Sequence, residues 1–296
     1  FSGLIVPIAV GSVSDTNILR KICSDLYGSL WSSHFAIRPA KLFDGVEQRL
    51  TILIGCHGPS DGNWYTSKYH QWFSEERSEL FSKIILVSMP PRLSEESPWP
   101  KIGSPTEARI LEKLRRFEDS PAHLLLTDSS KWIMYFHRTP GYWIRMLDFL
   151  PFFESPAGDR SVHHIRELYA TSEAARAEIA GLGSSSLYFW WFFAIGNCRN
   201  LTKGDLLGFP APRLDAGGAV EIVRIFNELM KSYKDNSSVK SRAKARYQEF
   251  DWVAAKPAVD AMDVFFAKVF GLTDEELDFV INYDIKVRVG DVAEEI

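Results

Sequence analysis

The chain has 296 residues, 46% of them hydrophobic and 13% aromatic, with 9 Trp and 20 Phe. This content is ample for packed cores and excludes a disordered chain; the length suits one large or two ordinary domains. A formal net charge of −4 argues against an overall basic surface of the kind expected for wholesale nucleic-acid binding.

The charge is unevenly spread. Residues 259–296 hold 10 acidic and 3 basic side chains, a net of −7, which leaves +3 upstream. Any DNA-facing surface is therefore expected before Val259. Cys23, Cys56 and Cys198 are scattered and odd in number, so neither a disulfide framework nor a zinc site is expected, and a reducing cytoplasm is. The most apolar run, Leu187 to Ile195, is too short to span a bilayer, which takes about 20 residues.

In chain order, Leu4 to Val10 reads as a buried strand. Ser14 or Asp15 can cap a helix whose Ile18, Ile22, Leu26 and Leu30 share one face, ending near Gly28 to Trp31. His34 to Ile37 is a short strand. Leu50 to Ile54 is a strand buried on both faces, ended by Gly55. Before it, Pro39 holds Arg38 extended and Asp44-Gly45 signals a turn. Phe43 sits at the edge of that turn. It can plug a local core, or offer a flat face to a planar ligand such as a base taken out of a duplex.

Pro59 to Asn63 is a loop. Tyr65, Tyr69, Trp72 and Phe73 then follow at helix-like spacing, as the packed side of a surface helix or as a DNA-facing aromatic patch. Met89 to Pro105 holds five prolines and reads as irregular. Thr106 caps a helix with Ile110, Leu111, Leu114 and Phe117, and Pro121 marks a domain boundary. Leu124 to Phe136 reads as strands, and Tyr142 to Leu150 as strand or helix. Adjacent His163 and His164 do not share a face, which makes a poor metal site. Ser172 caps a helix that Gly181 and Gly183 break. Ser184 to Ile195 is a second, very apolar helix. Thr202 with Asp205 caps another. Ile222, Phe226, Leu229 and Tyr233 mark a long amphipathic helix. Lys240, Arg242, Lys244 and Arg246 are read around a further helix, solvated or contacting phosphates. Thr273 with Glu276 is a capping box for the last helix.

Several segments, in order, resemble the C-terminal half of the gamma-class N6-adenine DNA methyltransferases, and look most like the large single-chain ones of Type IIG restriction-modification enzymes and related phage-defence systems. Phe1-Ser2-Gly3-Leu4-Ile5-Val6-Pro7 looks like the strand after the catalytic Asn-Pro-Pro-aromatic motif. Lys41-Leu42-Phe43-Asp44-Gly45-Val46 looks like the motif whose Phe stacks on the flipped adenine. Residues 135–144 look like the opening of the target-recognition domain. Asn200 to Lys203 with Phe209-Pro210 resembles its end, and Gly271 to Asp284 resembles the family's closing helix. The family's Asn-Pro-Pro-Tyr/Phe and glycine-rich cofactor loop do not occur in the chain, which reads as a fragment lacking its N-terminal half.

The resemblance implies an α/β fold. A partial Rossmann-like methyltransferase sheet over residues 1–117 would end in the antiparallel hairpin typical of such sheets. An α/β target-recognition domain over 118–212 and a helical C-terminal region over 213–296 would follow. It implies Phe43 as the stacking residue, and S-adenosylmethionine held by the missing half. Double-stranded DNA would be the partner, with no membrane. Side chains suited to reading base edges or phosphates are Arg138, Arg145, Arg160, Arg166, Arg199, Asn200 and Lys203, with His163 and His164 as weaker candidates. Two other readings stay open: a stand-alone DNA-specificity module without catalysis, and a protein-interaction scaffold docking through Leu187 to Phe193.

Overall fold

A computed structural model describes residues 1–58, 63–89, 97–156, 164–242 and 244–289. It is mixed α/β, with sheets of five, four and three strands among these residues. The chain divides into two compact units. One comprises 1–112, 191–198 and 284–296; the other comprises 113–190 and 199–283. No helix of the described residues is long and apolar enough to cross a membrane.

The first unit is built on strands β1 (Ser2–Pro7), β2 (Tyr27–Phe35), β3 (Leu50–His57), β4 (Asn63–His70) and β5 (Val87–Ser88). Helix α1 (Asn17–Leu26) connects β1 to β2, and α2 (Pro105–Leu114) follows the sheet. The strand order is β1-β3-β2-β4-β5. β3 runs antiparallel to both β1 and β2, so it lies between two strands that are parallel to each other. β4 joins β2 in parallel.

Two apolar clusters cover the two faces of this sheet. Leu30 and Leu53 sit with Trp64 and Trp99 on one. Phe35, Leu50 and Ile52 sit with Leu42, Trp72 and Leu80 on the other. Leu30, expected on the helix, is a fully buried strand residue, because the helix stops at Leu26. The expected burial of β1 is corrected: it is an edge strand and most of it is exposed. β3 continues past Gly55 to His57, and its Ile54 is exposed. Ser104, not Thr106, caps α2 by accepting the Glu107 N–H at 3.2 Å, with Pro105 opening the helix.

The expected surface helix at Tyr65 is strand β4. Two facts hid it. Its residues are buried on both faces, so polarity does not alternate. A register shift between the Ser32 and His34 pairings also inserts an extra residue, and Ser67 Oγ there accepts the His34 N–H at 3.2 Å. Tyr65 and Tyr69 thereby fall on opposite faces.

His34 lies at the centre of this sheet, fully buried. Its Nδ1 is 2.9 Å from Thr51 Oγ1 and its Nε2 is 3.1 Å from Thr66 Oγ1. The Thr66 hydroxyl donates to the Pro100 carbonyl at 2.7 Å, so it accepts from Nε2–H, and Nδ1 accepts from Thr51. The neutral ring satisfies this network. Burial first, then Lys101 and His70, hold its pKa well below the ordinary histidine value.

The second unit holds β6 (Leu125–Leu126), β7 (Ile133–His137), β8 (Met146–Leu147), β9 (Phe153–Glu154) and β10 (Ile165–Ala170). Helices α3 (Glu173–Ser184), α4 (Ser186–Ile195), α5 (Lys203–Leu207) and α6 (Ala216–Asp235) follow, α4 with its end beyond Trp190 in the first unit. A hairpin of β11 (Ser237–Arg242) and β12 (Ala245–Phe250) precedes α7 (Trp252–Phe270) and α8 (Asp274–Ile281). A last short helix, α9 (Ile285–Val289), belongs to the first unit. One sheet has the order β6-β10-β7-β8, the other β11-β12-β9.

Gly181 and Gly183 do not break α3, which runs through both. They are there for close approach. A Cβ on Gly183 would meet Met146 Sδ at 2.1 Å, and one on Gly181 would meet Met262 at 2.9 Å. Gly183→Ala is expected to cost about 1–3 kcal/mol through overpacking, despite alanine's better helix propensity. Urea denaturation of the two proteins checks this; an equal or higher midpoint for the variant would contradict it.

Candidate nucleic-acid interface

The Phe43 turn lies in the loop between β2 and β3. Leu42 and Val46 both pack into the cluster around Phe35. Phe43 stands between them and is 40% exposed. Its carbonyl accepts the Val46 N–H at 3.3 Å, and Gly45 takes φ +77°, the left-handed conformation that a type II turn needs at its third residue. The loop is tied down from the other side. Arg77 donates to the Lys41 carbonyl at 3.2 Å and to the Leu42 carbonyl at 2.9 Å. Ala40 N–H donates to Trp72 O at 3.0 Å. The backbone beneath the Phe43 side chain is therefore fixed, and the side chain is left partly open to solvent.

In the second unit, the ends of β7 and β10 bring several expected residues together. Arg138 N–H donates to His164 O at 2.7 Å, and Leu201 N–H donates to Arg138 O at 2.7 Å. Thr139 Oγ1 lies 3.4 Å from Asn200 Oδ1. Arg138, His164, Arg166, Arg199 and Lys203 are exposed, and Asn200 is half-buried. Thr202 and Asp205 form the expected capping box, which fixes Lys203 at the start of α5. Arg160 and His163 lie outside the described residues.

Arg145 is elsewhere. Strand alternation and the β7–β8 register put Tyr135, His137, Arg145 and Leu147 on one face of the four-stranded sheet. That face, with Trp143, Ile165, Gln248 and Phe250, lines a cavity of about 240 Å³. The Arg145 guanidinium sits 5.4 Å from the centre of the Phe250 ring. Burial lowers its pKa, with Tyr233 and Glu249 acting the other way. Burial also lowers the His137 pKa, partly offset by its bond to Thr139, and His164 and Arg145 lower it further. Arg145 is thus a wall of a half-enclosed site, not part of the exposed edge at Arg138.

The residues from Val239 to Tyr247, expected as a helix, are the hairpin of β11 and β12. Cations two residues apart circle a helix, but on a strand they share a face. Lys240 and Arg242 point one way, while Arg246, Gln248 and Phe250 point the other. Arg246 bonds Glu154 at 2.9 Å and lies 5.5 Å from the Phe152 ring centre. The period of two was the signal that sequence reasoning misread.

The helix α4 is buried along Leu187 to Phe193. Its first turn is capped from α7, where Asp263 Oδ1 accepts the Ser186 N–H at 2.7 Å. That burial leaves it no free face for the scaffold role. Among the described residues, no three His, Cys, Asp or Glu side chains are placed to hold a metal ion. No protein-family model matches this chain, and no curated protein matches it.

Proposed function

We propose that this chain is part of a site-specific N6-adenine DNA methyltransferase. It supplies one wall of the flipped-base pocket and the surface that reads DNA. The observation that carries the reading is Phe43, 40% exposed between the buried Leu42 and the half-buried Val46 on a turn tied by Arg77. Phe43 keeps two-fifths of its surface open on a turn whose backbone is fixed, so part of it is available to a ligand. An exocyclic adenine amine is paired inside the duplex, so the nucleotide has to leave the stack before it reacts. The Phe43 face replaces part of the lost stacking, worth roughly 1–3 kcal/mol per base.

Two further features support the reading. The β2–β3 pair is antiparallel, as the resemblance implies for the closing hairpin of a methyltransferase sheet. In addition, β1 leaves Leu4 and Ile5 exposed on the sheet edge, and α1 leaves Ile18 68% and Ile22 52% exposed. Such an apolar edge suits further sheet packed against it. That further sheet would hold S-adenosylmethionine and the amine-binding residues, in this polypeptide or another. In the second unit, the exposed Arg138, Arg199 and Lys203 with the half-buried Asn200 make a polar edge with the donors that base edges and phosphates require.

The test uses duplexes that differ in one nucleotide. An unpaired adenine bulge removes most of the unpairing cost, a few kcal/mol. The chain is expected to bind the bulged duplex about tenfold or more tightly than the paired one, and Phe43→Ala is expected to abolish the preference. Equal affinity of the unchanged protein for the two duplexes would count against the reading.

A further inference from the structure

The strongest unassigned surface is the β11–β12 hairpin. From Asn236 to Gln248 the chain holds four cations and no acidic residue. Five of the six residues of β11 are exposed. Lys240 and Arg242 project from the same face, opposite Tyr247 and Ala245 of β12. Lys244 stands at the tip, with φ +66°. Among the described residues, none of these three cations makes an ion pair. The opposite face is the anchored one, through Arg246 to Glu154 and through Gln248, whose Oε1 accepts the Phe152 N–H at 3.1 Å.

We infer that this hairpin is a basic ribbon that lies along duplex DNA, with Lys240, Arg242 and Lys244 on phosphates. The inference rests on the proposed DNA-reading function and adds a named contact surface to it. Three considerations carry it. A two-stranded ribbon fits the major groove, which is about 12 Å wide. Lys240 and Arg242 are two strand residues apart, roughly 7 Å, so separate phosphates can take each. Three cations with no ion-pair partner among the described residues are also a local excess in a chain of net charge −4, and the duplex carries one negative charge per about 1.7 Å of axis. The ribbon lies upstream of the acidic end, where a DNA surface was expected.

The experiment is a salt titration of binding by the whole chain to several unrelated duplexes. The variant Lys240→Gln/Arg242→Gln/Lys244→Gln is compared with a charge-preserving one, Lys240→Arg/Lys244→Arg. Each lost phosphate contact lowers the slope of log K against log salt by about 0.9. The neutral variant is expected to lose about 2 to 3 in slope and roughly tenfold or more in affinity on every duplex. The Arg variant is expected to keep both, and equal thermal melts show that the fold is intact. If the unchanged chain binds with steep salt dependence and the neutral variant matches it, the ribbon is wrong and the DNA reading stands. If the unchanged chain shows no salt-dependent duplex binding, both fall. If the three cations prove to matter only for anionic vesicles or single-stranded RNA, the ribbon has another partner and the inference is overturned.

Discussion

In the proposed enzyme, Phe43→Ala is expected to slow adenine methylation about ten- to a hundredfold and to leave stability nearly unchanged. The magnitude follows from losing roughly 1–3 kcal/mol of stacking on the flipped base. A buried Phe cut to Ala would instead cost about 3–5 kcal/mol of folding free energy. Geometry separates the two outcomes. The apolar plug here is Leu42 and Val46, and the Phe43 ring lies outside it. Phe43→Trp is expected to keep most of the activity, because an indole also stacks and the site is open. Methylation rates and thermal melts on the two variants decide the matter. A melting point many degrees lower with an unchanged rate would make Phe43 a packing residue.

The second large effect concerns acid. His34 and His70 are both buried on the central strands of the first sheet. Burial, then Lys68, pushes the His70 pKa down to about 4, and the His34 pKa is held well below its ordinary value. In the unfolded chain both titrate near 6.5. Below that pH, the unfolded state takes up protons that the folded state refuses. Stability is therefore present above about pH 6.5 and is lost as the pH falls from there toward 4. The slope approaches roughly 1.4 kcal/mol per pH unit for each ring. Urea denaturation at pH 7.5 and pH 5 is expected to show a loss of a few kcal/mol. His70→Gln should remove about half of the slope, and a variant as acid-sensitive as the parent would contradict the assignment.

What the sequence made legible was local. Ser172, Thr202 and Thr273 cap the helices they were expected to cap. The stripe of Ile222, Phe226, Leu229 and Tyr233 on α6 is buried as expected. Caps and helical stripes depend on neighbours within four residues, so the chain carries their whole signal. The misread segments depend on distant partners. β4 is covered on both faces and carries a bulge, which erased the two-residue alternation. The glycines of α3 answer to Met146 and Met262, far along the chain. The exposure of β1 depends on its place at the sheet edge. At the candidate site, the turn at Asp44-Gly45 was readable and the presentation of Phe43 was not. That presentation comes from Arg77 and Trp72 holding the loop, and from the two apolar neighbours facing inward. Arg138-Thr139 meets Asn200-Leu201 at one sheet end, while Arg145 lines a cavity, and strand register sets the two apart.

The most direct measurement is nucleoside mass spectrometry of DNA from a bacterial host free of its own adenine methylation. The host expresses the complete coding region that contains this chain, with Phe43 or with Phe43→Ala. The account predicts N6-methyladenine, confined to one short sequence when the same DNA is mapped, and at least tenfold less of it when growth is too brief for the variant to saturate its sites. Absence of N6-methyladenine, or methylation of cytosine instead, would contradict it.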